Sequence, residues 1–164
     1  MSKISVVEMP ARILVGKSAD FYGAMSPKFN GQEKLGPIWG LMQAKRIELG
    51  LPDGATMIGA TVPADSPEAA EGLLTQFVGC VVDEVPTDLL GLDVFKIEAG
   101  LYATYEHVGS METMVNSIQK FYTELLPGAG CTQRSGLHLE IYDDRFDMSS
   151  PDSIMTIAAP VRRV

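Results

Sequence analysis

Hydrophobic and polar residues alternate along this chain with two different periods, and those periods mark out its elements. In LHLEIYDD, Leu137 to Asp144, Leu137, Leu139 and Ile141 face one way and His138, Glu140 and Tyr142 the other, as side chains on a strand do. The first set is a core face. The second puts a carboxylate between an imidazole and a phenol, on a residue type depleted in strands. Pattern alone assigns that polar face to solvent, as for one side of an antiparallel sheet. Short β segments are predicted at residues 4–7 and 13–16, broken at Met9-Pro10, with a loop rich in Gly, Pro, Ser and Asn at 20–32. Pro37 suits the first turn of a helix that Gly50 ends, with Ile38, Leu41, Met42 and Leu49 near one face. Strands at 56–62 and 75–82 follow, joined by the polar segment PADSPEAAEG, which has room for a helical turn.

The pattern then restarts. A strand at 101–108 turns at Gly109-Ser110 into a second helix, where Met111, Met114, Val115, Ile118, Phe121, Tyr122 and Leu125 recur at steps of three and four. Ser110 is its N-cap by residue type, Glu112 is favourable in its first turn, and Pro127 and Gly128 end it. Strands at 136–142 and 154–159 follow, joined by DDRFDMSSPD. Leu51-Pro52 and Leu126-Pro127 each follow a helix, and each leads through strand, polar loop and strand to a closing proline, Pro86 or Pro160. The repeat predicts an α+β fold: one domain over residues 1–164, built from half-repeats of about 1–90 and 91–164. A unit this small cannot cover its own sheet, so the halves are expected to pack together. A pseudo-twofold relation between them would leave a cleft at their junction, a common place for ligands.

Composition narrows the function. With 46% hydrophobic and 21% charged residues the chain is globular rather than disordered. The 13 Lys and Arg against 21 Asp and Glu give a charge of −8, which repels phosphate backbones and attracts cations, so direct nucleic-acid binding is not expected. Cys80 and Cys131 lack metal or redox spacing and are expected as buried, reduced thiols of a cytoplasmic protein. The opening MSKISVVEMPARILVG, interrupted by Glu8, Pro10 and Arg12, does not read as a signal peptide, and no apolar run suggests a membrane span. Neither a phosphate-cradling glycine motif nor a GxSxG nucleophile occurs, so no cofactor and no covalent enzyme is expected. His107 and His138 without a spaced partner do not make a metal site, and His138 reads as a rim or exposed residue.

YATYEHVG, a helix ending in LPGAG, GLHLEIYDD and the closing IAAPVRR together resemble the GyrI-like, or bacterial transcription-factor effector-binding, domain over nearly the whole chain. The resemblance implies duplicated βαββ (SHS2-like) units with pseudo-twofold symmetry, an antiparallel sheet and two main helices around a central cleft. It also implies that the cleft takes bulky, often cationic organic molecules, and that the strand glutamate, Glu140 here, lies deep inside it. An aromatic from the first helix commonly lines such a cleft, which points to Trp39. Physical chemistry gives these residues fitting work: a carboxylate in a half-apolar cleft attracts cations, and aromatic faces add cation–π contact. Tyr142 shares the Glu140 face and joins the candidates. Tyr102 and Tyr105 lie on opposite faces of one strand, so one at most faces the cleft; Tyr105 is carried as a candidate. Met111 and Met114 read as core residues at helical spacing. The resemblance also admits a hydrolase of reactive, cyclopropane-bearing DNA-alkylating compounds, with Glu140 and Tyr142 as the acid–base pair. A third possibility is a modulator that contacts DNA gyrase or a regulator protein.

Overall fold

The computed structural model describes residues 4–52 and 54–164; residues 1–3 and Asp53, which the expected 1–90 half includes, lie outside the described residues. The strands are β1 (Ser5–Met9), β2 (Arg12–Tyr22), β3 (Met57–Pro63), β4 (Leu73–Val82), β5 (Asp93–Ile97), β6 (Gly100–Val108), β7 (Cys131–Gln133), β8 (His138–Tyr142) and β9 (Ile154–Arg163). Helix α1 (Gly31–Glu48) links β2 to β3, and α2 (Met114–Lys120) lies between β6 and β7. A 3-10 turn, Met111–Thr113, leads into α2, and a π-helical turn, Phe121–Leu125, and a last turn, Leu126–Gly128, prolong it. The polar connection between β3 and β4 carries the expected helical turn, Pro67–Glu71.

The antiparallel sheet has the order β1-β6-β9-β8-β3-β4-β2-β5, with β7 on the end of β9. The strand before each helix pairs with the later of the two strands after it, β2 with β4 and β6 with β9, while β3 and β8 meet in the middle. The outer strands are exchanged: β1 leads into β2 yet pairs with β6, and β5 leads into β6 yet pairs with β2. Only Pro10-Ala11 joins β1 to β2 and only Glu98-Ala99 joins β5 to β6. Both ends of the sheet must therefore approach each other, and the sheet curls. Leu14, Ile58, Phe77, Tyr102, Leu139 and Ala158 form a core on the face away from the helices. Val15, Val78, Ile157 and Ala159, one residue out of step with the first set in strand parity, form a second core with Met42, Ile118, Phe121 and Leu126 of the helical segments.

Several boundaries differ from the sequence-based expectation for physical reasons. β2 runs on to Tyr22 because it pairs with β4 along its length, and the Tyr22 N–H donates to Asn30 Oδ1 at 2.7 Å, which ties the strand's end to the helix start. Helix α1 thus begins at Gly31, ahead of Pro37, and Pro37 lies inside it, where it has no N–H to give the helix. Leu41, expected on the buried face, is exposed, and Leu35 is buried instead. β9 does not close at Pro160: it pairs with β6 up to the Tyr102–Pro160 position, and residues 161–163 then pair with β7. Ser110 sits at the N-cap position, but its side chain makes no capping bond. Cys80 and Cys131 are buried and free. Among the described residues no helix is long and apolar enough to cross a membrane.

Candidate functional site

Between the two helical segments, over the central strands β3 and β8, lies a cavity of about 1280 Å³. Pockets for drug-sized ligands occupy about 300–1,000 Å³, so this one has room for a bulky molecule. Trp39 and Leu35 of α1 and Met114, Ile118 and Tyr122 of the second helical segment form its walls, while Met57, Thr61, Gln76, His138, Glu140 and Tyr142 form its floor. The strands supply the floor because parity turns the even-numbered residues of β8 toward the helices, while Leu139 and Ile141 enter the opposite core.

Glu140 is therefore not a solvent-facing strand residue. It is 8% exposed, and each carboxylate oxygen has a donor: the Tyr142 hydroxyl at 2.7 Å on Oε1 and His138 Nε2–H at 3.1 Å on Oε2. The Tyr122 hydroxyl, 2.6 Å from His138 Nδ1, donates to that nitrogen and so fits the imidazole tautomer carrying its proton on Nε2. In that tautomer Tyr122 and His138 donate in series toward the glutamate, as the Tyr142 hydroxyl does directly, an arrangement suited to an acceptor-only carboxylate. Burial, and secondarily the Glu140 charge, pushes both phenols well above their ordinary range, so both remain donors. The Tyr142 ring is held edge-on by Trp39 and by Phe146, each with centroids 4.8 Å away. The carboxylates lining the cavity, Glu71, Glu112, Glu140, Asp143 and Asp144, outnumber the one lining cation among the described residues, Arg46.

Of the candidates, Glu140, Trp39 and Tyr142 are brought together here. Tyr105 is not. It points to the helix side of β6 but packs against Phe121, with centroids 6.5 Å apart, because the second helical segment covers that strand. Tyr102 belongs to the opposite core, its hydroxyl on the Glu98 carbonyl. His138 is a correction: its side chain is inside, on Glu140 and Tyr122, rather than at a rim. Met111 and Met114 pack against the core and also line the cavity. Sequence reading missed the Tyr122 partnership and the floor residue Gln76. The Glu140 parity was a signal for His138, two residues away, whereas Tyr122 looked like any other member of an apolar stripe. His107 is engaged elsewhere, with the Ser117 hydroxyl and the Ser110 carbonyl.

The sequence matches the GyrI-like small molecule binding domain over residues 2–162. Transcriptional regulator BrlR of Pseudomonas aeruginosa is 31% identical over 72 residues, 43% of this chain but only 27% of BrlR. Among solved structures, SAV2435 bound to tetraphenylphosphonium superposes with a TM-score of 0.73 at 17% identity, covering 98% of this chain and 94% of that one. A hydrolase from Listeria innocua superposes with a TM-score of 0.54 at 15% identity, covering 98% and 92%.

Proposed function

Since this chain belongs to the family of GyrI-like small-molecule-binding domains, we propose that its ligands are bulky aromatic cations, held in the central cavity against the Glu140 carboxylate. The observation that carries this reading is a buried carboxylate, both oxygens hydrogen-bonded, on the floor of an otherwise largely apolar and aromatic cavity. Charge in such surroundings acts more strongly than in water, because less solvent screens it. Of the further lining carboxylates, Glu112 and Asp144 favour the same sign of ligand, while Asp143 and Glu71 are paired with Arg145 and Lys28. Trp39 and Tyr142 offer aromatic surface to a flat or propeller-shaped cation. The ligand named with SAV2435 is of this chemical class. The net charge of −8 supports a small-molecule partner over direct contact with a phosphate backbone.

Calorimetric titration with tetraphenylphosphonium and with neutral triphenylphosphine oxide tests the assignment. Glu140→Gln keeps the shape and removes the charge. Loss of a charged partner is worth about 1.5–3 kcal/mol, so cation affinity should fall by roughly 10- to 150-fold while the neutral compound is nearly unaffected. Trp39→Ala should weaken both ligands, since it removes contact area whatever the charge. Equal losses for the two ligands in Glu140→Gln would make the glutamate structural.

One observation favours a second reading, hydrolysis of alkylating compounds. The Tyr122–His138–Glu140 chain offers a carboxylate positioned to take a proton from an attacking water, with Tyr142 as the adjoining donor. Incubation with a cyclopropane-bearing alkylator followed by mass spectrometry separates the two: a water adduct that disappears in Glu140→Gln marks turnover, and intact retained compound marks binding.

A further inference from the structure

The floor of the cavity holds a second polar group that the glutamate network does not use. Gln76 of β4 is 1% exposed, and its Nε2–H donates to Thr61 Oγ1 at 2.9 Å, leaving Oε1 without a hydrogen-bond partner among the described residues. Its carboxamide lies across Gly59: a Cβ added there would come within 2.9 Å of the Gln76 Cδ. Gly59 in turn stands directly opposite Glu140 in the strand register. The missing side chain at 59 therefore lets the amide lie one strand over from the carboxylate, on the same side of the sheet. A buried carbonyl acceptor without a protein donor is open to a donor from the adjoining cavity, whether a water or the N–H of a ligand that displaces it. The terminal torsion of glutamine is broad, so the carboxamide can turn without disturbing β4, moving Nε2 relative to Thr61 as it brings Oε1 toward the cavity.

Resting on the reading of the cavity as a cation site, we propose that Gln76 is a specificity-determining residue. Its side-chain oxygen accepts a hydrogen bond from aromatic cations that carry N–H donors, amidinium and guanidinium compounds in chemistry. Such ligands present several N–H groups across a flat cation, enough to engage Glu140 and Gln76 together. Quaternary cations satisfy only the charge.

The test uses the full chain and two probes of equal charge, N,N′-diphenylguanidinium and its fully N-methylated analogue, titrated calorimetrically. The wild type should prefer the N–H form by about tenfold or more, the scale of one added hydrogen bond. Gln76→Met keeps the length of the side chain and removes the acceptor; it should cut the preference by about tenfold by weakening the guanidinium alone, leaving only the share that Glu140 supplies. Gln76→Leu serves if that variant does not fold. Glu140→Gln should weaken both probes, the N–H form more, because it loses a hydrogen bond to the carboxylate as well as the charge. A wild type with no preference, or a preference undiminished in the Gln76 variant, overturns this inference and leaves the cation site standing. Failure of both probes to bind the wild type, or indifference of both to Glu140→Gln, overturns the cation site and this inference with it.

Discussion

Tyr142 does two jobs through one side chain: its ring is wedged between Trp39 and Phe146, and its hydroxyl holds Glu140 Oε1. Burial first, and the neighbouring carboxylate second, raise its folded pKa well above 10.0. In the pH range between 10.0 and that raised value, the unfolded chain has lost a proton that the folded chain keeps. The unfolded state then binds fewer protons, so stability falls as pH rises, while below 10.0 the contribution is fully present. Tyr122, raised for the same reasons, adds to the same slope. Tyr142→Phe keeps the ring contacts and removes one titrating group. Its urea midpoint should decline less than that of the wild type between about pH 9 and about pH 11. Parallel declines in the two proteins would mean that Tyr142 ionises no differently when folded.

Helix α1 is a poor helix by composition, with Gly31, Gly36 and Gly40 along it and Pro37 inside. Gly36 and Gly40 are spaced by one turn and line the cavity beside Trp39, and beyond the adjacent residues a Cβ at either would touch nothing within 4 Å. The helix thus gives up intrinsic stability and leaves open space along the cavity wall. Gly40→Ala should stabilise the fold by about 0.5–1 kcal/mol, read as a higher urea midpoint, whereas Gly36→Ala should gain less or nothing because its Cβ would meet the Pro37 ring. Added methyls on that wall also trim the space for a ligand, so tetraphenylphosphonium affinity should fall, in Gly40→Ala while stability rises. Destabilisation by Gly40→Ala would show that this glycine serves backbone packing instead.

Across the molecule, the exchanged outer strands bind the two halves to each other. Cutting between residues 90 and 91 would strip β1 of its partner β6 and β5 of its partner β2, and would open the central β3–β8 pairing. The fragments 1–90 and 91–164 should each be insoluble or unfolded, and the intact chain should unfold in one cooperative transition by circular dichroism and fluorescence alike. Two soluble, folded fragments would show the halves to be independent, and the shared cavity would then have another origin.

Parity within LHLEIYDD assigned Leu139 and Ile141 to a core, and the three- and four-residue steps from Met111 to Leu125 marked the second helical segment, because both patterns come from local backbone geometry. The order of the main strands and helices was legible for the same reason. Parity says which residues share a face but not what covers it. Only the packing of helices over β3 and β8 turned a face that pattern assigned to water into the floor of a cavity. The short strands β5 and β7 owe their existence to partners distant in sequence, β2 and β9, and leave little local trace. In the chain Tyr105 stood as an aromatic candidate, while Tyr122 read only as one member of an apolar stripe. Tertiary packing sealed the first under Phe121 and brought the second to His138, and a hydrogen bond between residues sixteen apart depends on where two elements cross, which no local period encodes.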